Sequence, residues 1–281
     1  MTHRNLTEAT WRETRAAAAD SIAVLPIGSQ EQHAEHLPMG TDTMLADAVV
    51  SRALALLDER VAAGEDVPGL VRLPTLPYGH SPHHLFAAAL TLSAPVLGLV
   101  LDELLDSLAA CGYRRVLVVN GHGGNDEIMR LAVKRFALRA DVTAAACSYW
   151  TLTDTGEPEA DADGPDEGHA ELVPGHAGWF ETSLMLAAQP SLVRAERARH
   201  APVEPPPLFD KPPYPGLTVE RHGEWERVGG ATDDAAGADA AHGERLLDRR
   251  ARGLARAVLA FDAASRPPRM TLHPSHVRNR S

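Results

Sequence analysis

The chain is poor in cysteine, in lysine and in long apolar runs, and each shortage removes a class of protein. Its only cysteines, Cys111 and Cys147, lie far apart and outside any paired spacing. That rules out a disulfide scaffold or thiolate zinc site and leaves two buried apolar side chains in a reduced compartment. Its only lysines are Lys134 and Lys211, the arginines are scattered, and the net charge is −11. No basic patch exists to neutralise a phosphate backbone, so nucleic acid is not an expected partner. The stretch nearest to membrane length, 85–101, is interrupted by Thr91, Ser93 and Pro95 and followed at once by Asp102 and Glu103. It reads as strand, turn and helix, with no membrane role. Residues 1–8 carry neither the apolar core nor the small-residue cleavage site of a secretory signal, so the expected location is the cytoplasm.

What is present is an ordinary globular composition: 281 residues, 44% hydrophobic and 23% charged, enough for a large core without staples. Apolar runs alternate with amphipathic ones, the pattern of an α/β fold with a mainly parallel sheet covered by helices. Strands are expected at 22–27, 70–76, 115–120 and 142–150. Helices are expected at 8–19, 42–58, 94–110 and 125–139, the last with Asn125 as N-cap, then in an apolar run ending at 189 and at 244–263. The acidic stretch 154–166 reads as irregular. The proline-rich stretch 201–216 reads as a surface excursion or flap within a single domain, 1–281, because no second-domain pattern follows it.

The stretch from Gly28 to Asp42 carries the chemistry. It follows the apolar run 22–27, so its carboxylates and imidazoles sit just past the C-terminal end of a strand, where open α/β sheets place ligands. Glu31, His33 and Asp42 offer two oxygen donors and one nitrogen donor, a set suited to zinc or manganese and not to calcium. The clearest buried strand, 115–120, ends in Gly121-His122-Gly123-Gly124-Asn125, which delivers a second histidine to the same edge. This glycine-rich loop is no dinucleotide fingerprint. The third glycine of that pattern falls at Asp126, whose carboxylate repels a pyrophosphate, and the phosphate-loop lysine is missing. The pattern alone leaves two readings, a metal site or a polar network at the strand ends, and each histidine alone reads as hydrogen-bonded or solvated. His36, His83, His84 and His169 are the weaker candidates.

Three blocks in order resemble the creatininase (creatinine amidohydrolase) family: Glu31-Gln32-His33 with His36-Leu37-Pro38 and Asp42; 120–125; and His176-Ala177-Gly178 before Glu181-Thr182-Ser183. The likeness runs from about residue 21 to about residue 244. It implies a three-layer α/β/α sandwich, two divalent cations (zinc or manganese, with iron accepted by the same donors) and a homo-oligomer, a hexamer built from dimers. By motif, Asp42 would bridge the cations, Glu31 and His122 would hold one, and His33 the other. Creatinine-opening members have a glutamate where this chain has Gly124, and Glu181 is the candidate to complete the shell; the rival readings are that it caps its helix or meets substrate. A metal-bridging hydroxide would then add to the carbonyl and cleave a C–N bond in a small cyclic or linear amide, with His176 moving the proton. Ser81 and His84 match the substrate-lining loop, and Trp179, with Trp225 and Tyr149, is a candidate aromatic surface for substrate. Two more departures, 86–89 in place of Phe-Pro-Gly-Thr and Leu172 in place of an aromatic, argue against creatinine itself. Other activities open to the resemblance are hydrolysis of a formamide, of a peptide in cofactor maturation or of an oxidised cyclitol ring, and a member that binds metal without turnover.

Overall fold

The computed structural model describes residues 3–152, 174–197, 204–235 and 237–266. The expectations placed on 154–166, on His169, on Leu172 and on residues 201–203 fall outside them. Five strands form one sheet in the order β1-β3-β2-β4-β5, every pairing parallel: β1 His3–Asn5, β2 Ser21–Ile27, β3 Gly69–Arg72, β4 Arg115–Asn120 and β5 Thr143–Ser148. β2 and β4 are buried at every position, which is why both read as unbroken apolar runs.

The two faces of the sheet separate by alternation. Ile22, Val24, Leu117 and Val119 point to one face, covered by α2 (Thr41–Ala62), α5 (Trp179–Ala188) and α7 (Ala240–Ser265). Ala23, Leu25, Ile27, Val116 and Val118 point to the other, covered by α3 (Ala94–Cys111) and α4 (Asp126–Arg139), with α1 (Trp11–Ala18) at its margin. This is the three-layer α/β/α arrangement. A short helix, α6 (Glu224–Arg227), lies outside the layers near the strand ends. From β2 the chain crosses through α2 to β3 on one side, then through α3 back past β2 to β4 on the other. The crevice beyond the C-terminal ends of β2 and β4 is therefore the topological switch point, the place where such sheets take ligands.

Several boundaries differ from expectation. β3 stops at Arg72 because Pro74 interrupts the ladder, although Leu76 still donates to Pro26 O and bridges Ile27. Helix α1 starts three residues later than expected, where Thr10 and Glu13 form a capping box. Asn125 occupies the N-cap position of α4, but its side chain does not cap. Its amide nitrogen donates to Gly28 O and Asn120 Oδ1, and its Oδ1 accepts from the His80 N–H, so it ties three strand-end loops together.

The α5–α7 contact depends on a helical glycine. A Cβ at Gly243 would overlap the Ser183 carbonyl oxygen of α5. Alanine there gains at most about 1 kcal/mol of helix propensity, against about 1–3 kcal/mol for overpacking a close helix contact. Gly243→Ala is expected to be net destabilising, by roughly 1–2 kcal/mol on those figures; a denaturant melt with an unchanged or raised midpoint would contradict this.

Candidate functional site

The loops after β2 and β4 are pressed against the first turn of α2, and glycines make this possible. A Cβ at Gly28 would strike the Thr43 backbone, and one at Gly121 would strike the Asp42 carbonyl. The result is a compact, almost solvent-free cluster in which Glu31 and His33 are fully buried, and Asp42, His122 and Glu181 nearly so. Asp42 faces two ways: Oδ1 lies 3.1 Å from His33 Nε2 and Oδ2 lies 3.2 Å from His122 Nδ1. Beyond His122, Glu31 Oε2 is 3.3 Å from its Nε2; beyond His33, Glu181 Oε2 is 3.6 Å from its Nε2. Glu31 Oε1 is 3.2 Å from His84 Nε2 and 3.7 Å from His176 Nδ1.

Three buried carboxylates in one cluster set its electrostatics. Burial pushes the Glu181 carboxyl up to about 8, and the charge on Asp42 adds to the rise. Burial also opposes ionisation of Asp42, but the His33 and His122 rings beside it overcome that and hold its carboxyl well below the usual range. Burial likewise works against protonating His33 and His122, yet Asp42 and Glu181 lift His33 to about 10, and Glu31 and Asp42 lift His122 to about 9. His84, by contrast, is driven down to about 3 by burial and by the neighbouring His33 and His122, and His176 is driven well below its ordinary value by burial, His33 and His84. The cluster thus needs cationic partners for its carboxylates. Both Glu31 oxygens and Asp42 Oδ2 are buried without a hydrogen-bond partner, as expected of carboxylate atoms oriented toward a cation.

Among the described residues, donor atoms fall into three groups, each lying within 4.8 Å: Glu31, Asp42 and His122; His33, His176 and Glu181; and Glu31, His84 and His176. The structure thus brings Glu31, His33, Asp42, His122, His176 and Glu181 together, and His84 with them. Glu181 also accepts from the Ala177 N–H at 2.7 Å, so the helix-start contact and the site contact belong to one carboxylate.

Two of the expected substrate contacts lie outside the lining of the cavity. Trp179 is 2% exposed, packed in the core with its ring 5.7 Å from His242 and pointing away from the strand ends. Ser81 is fully buried behind His122, bonded to its Nε2 and to Ser29 Oγ. Four residues that the sequence pattern did not single out join the site: Gln32, His80, Phe209 and Glu220, the last three lining its cavity.

Residues 7–258 match the creatinine amidohydrolase family. The chain belongs to the creatininase family. It is 31% identical over 266 residues to the creatinine amidohydrolase of Pseudomonas putida, covering 89% of this chain and 94% of that one. It is also 34% identical over 231 residues to the mycofactocin precursor peptide peptidase of Mycobacterium tuberculosis, covering 80% and 79%. A solved creatininase superposes with a TM-score of 0.69 at 29% identity, covering 94% of this chain and 98% of that one, and solved relatives include a zinc–zinc form and a manganese form. The chain is accordingly a creatininase-family hydrolase.

Within this creatininase fold the cluster opens into a cavity of about 410 Å³. Asp42, His84, His122, His176 and Glu181 form its floor, and Trp150, Phe209 and Trp225 supply its aromatic walls. A Cβ at Gly124 would overlap His80 O and crowd His122 Nε2, so this backbone has no room for the glutamate that creatinine-opening members carry there.

Below the floor, Asp233 accepts from the Trp179 N–H at 2.7 Å and so satisfies the first turn of α5, which carries Glu181. Burial raises its carboxyl to about 6. The folded state then binds this proton more tightly than the unfolded chain. The contribution is greatest below the unfolded value of 3.8 and is lost as pH rises to about 6. Asp233→Asn is expected to flatten that fall when melting temperature is followed from pH 4 to 7; an unaltered profile would contradict it.

Proposed function

We propose that this creatininase-family hydrolase holds a pair of divalent cations, zinc or manganese, and cleaves a C–N bond in a small amide. The observation that carries this reading is the double aim of Asp42: its two oxygens face two histidines that belong to different donor groups, and both oxygens of Glu31 beside it are buried and unbonded. In this reading Glu31, Asp42 and His122 would hold one cation, and Asp42, His33 and Glu181 the other. When bound, such a pair activates water and polarises a carbonyl. The rest of the work falls to side chains of the chain. His176, neutral and lining the cavity, carries a proton from the attacking water to the departing nitrogen. His84 presents its ring beside Glu31. Trp225, stacked on Phe209 with centroids 3.9 Å apart and planes 5° apart, gives a flat wall 4.8 Å from the His84 ring.

A linear, peptide-like amide is the second reading. A cavity of about 410 Å³ lies in the usual span of roughly 300–1,000 Å³ for organic-ligand sites, and it leaves room beside the donors for an extended chain. Supporting a homo-oligomer, the outer faces of α3 and α4 expose Leu99, Leu104, Leu131 and Leu138. Two unpaired thiols accord with a reduced, cytoplasmic setting, and among the described residues no helix is long and apolar enough to cross a membrane.

The test is elemental analysis of the purified protein combined with turnover assays on cyclic amides, formamides, short peptides and a cyclitol ketone. Stoichiometric zinc or manganese with amide turnover is the expected result. A chain without bound metal sinks the metal-dependent reading, and metal with turnover of the cyclitol ketone alone moves the reaction away from C–N bonds.

A further inference from the structure

Gln32 lies between two metal-ligand candidates, Glu31 and His33, and every one of its polar groups is engaged. Its backbone N–H donates to Ala88 O and its carbonyl lies 2.9 Å from His176 Nε2. Its side-chain Oε1 accepts from the Ala34 N–H at 2.9 Å. Its Nε2 has three neighbours, His84 Nδ1 at 2.8 Å, His176 Nε2 at 3.0 Å and Gly230 O at 3.2 Å. The amide orientation is fixed: turned over, Oε1 would face the Gly230 carbonyl while the amide nitrogen faced the Ala34 N–H, placing acceptor on acceptor and donor on donor.

Donor counting then assigns the ring protons. The Gln32 carbonyl can only accept, so His176 Nε2 carries hydrogen and cannot itself accept from the amide. The two amide hydrogens therefore go to His84 Nδ1 and to Gly230 O. His84, having its Nδ1 lone pair in use, carries its hydrogen on Nε2, which faces Glu31 Oε1 at 3.2 Å. Both rings are the Nε2–H tautomer, but they are set in opposite senses: His84 offers the site a donor, and His176 offers it the bare Nδ1.

We infer that Gln32 is a positioning residue that fixes the proton positions of His84 and His176 and links them to the segment carrying Trp225. The link is geometric. Gly230 sits at φ 76°, and a Cβ there would overlap the Gln32 amide, so only glycine lets the segment seat. Two residues on, Thr232 exchanges hydrogen bonds with the His176 backbone, its N–H donating to His176 O at 3.0 Å and its Oγ1 accepting from the His176 N–H at 2.7 Å. Ala34, whose N–H sets the amide, is held in the left-handed region at φ 52°, a conformation that non-glycine residues adopt only where the surroundings enforce it. One glutamine thus holds a donor, an acceptor and the aromatic wall in register.

The bearing on turnover rests on the metal-dependent reading above, whereas the ring protons are observable without it. Neutron diffraction on deuterated crystals of the full-length chain at neutral pH, with Zn²⁺ bound and again after chelation, reads them directly. Deuterium is expected on Nε2 of both His84 and His176 and on neither Nδ1. In Gln32→Leu, which keeps the residue 32 carbonyl, His176 should be unchanged while at least half of the His84 deuterium moves to Nδ1. Zinc content should hold and kcat should fall about 10-fold to 100-fold, the range for partners that orient site histidines. Deuterium on Nδ1 of His84 in the unaltered protein overturns the inference, and so does a His84 unaffected by Gln32→Leu. If that variant fails to fold, the unaltered crystal alone decides.

Discussion

Asp42→Ala is expected to empty both cation positions, with metal per chain falling to background and turnover falling by roughly 10³-fold or more, beyond the usual cost of removing one electrostatic contact. The reason is the double aim of the side chain, Oδ1 toward His33 and Oδ2 toward His122. Among the described residues no other carboxylate of the cluster touches both rings. The substitution also removes the side chain that meets both buried imidazoles, so a loss of stability is expected beside the loss of metal. A thermal melt therefore belongs with the metal analysis, and Asp42→Asn, which preserves shape, separates loss of charge from loss of fold. Full metal content in a folded Asp42→Ala protein would dismiss the bridging role.

His176 should behave in the opposite way. His176→Ala is expected to keep both metals and lose about 10²–10⁴-fold in kcat with little change in KM, the range for a single general acid–base group. His176 belongs to two of the three donor groups, so a ligand role is the direct rival. The hydrogen bond to the Gln32 carbonyl occupies Nε2, and Nδ1 stands 3.7 Å from Glu31, closer to a proton acceptor's place than to the tight shell around Asp42. If His176→Ala released metal in proportion to lost activity, the proton-carrying role would be wrong.

Legibility in the sequence followed burial. β2 and β4 were readable because central parallel strands bury both faces and appear as unbroken apolar runs, and their ends pointed to Glu31, His33, Asp42 and His122. β1, three residues long with Arg4 exposed at the sheet edge, offers no such run. The place of Trp179 was not legible, because an aromatic beside a histidine looks available until helix phase is known. Glu181, two positions along α5 and about 200° around the axis, takes the side facing the strand ends, leaving Trp179 to the core. Ser81 and Gln32 were opaque for another reason: what they do depends on partners 41 to 198 residues distant, and no local pattern records such pairings.

The division of the site between the two ends of the chain has a temporal consequence. The Glu31, Asp42 and His122 group comes from the loop after β2, from α2 and from the loop after β4, all within the N-terminal half. The His33, His176 and Glu181 group waits for α5, which is seated by α7 near the far end. During synthesis, then, the first cation position can be assembled while the second still lacks Glu181. In the finished protein α7 packs on α2 as well as on α5, so its fraying would reach Asp42 and Glu181 together. The two positions would thus be completed in order and loosened as one.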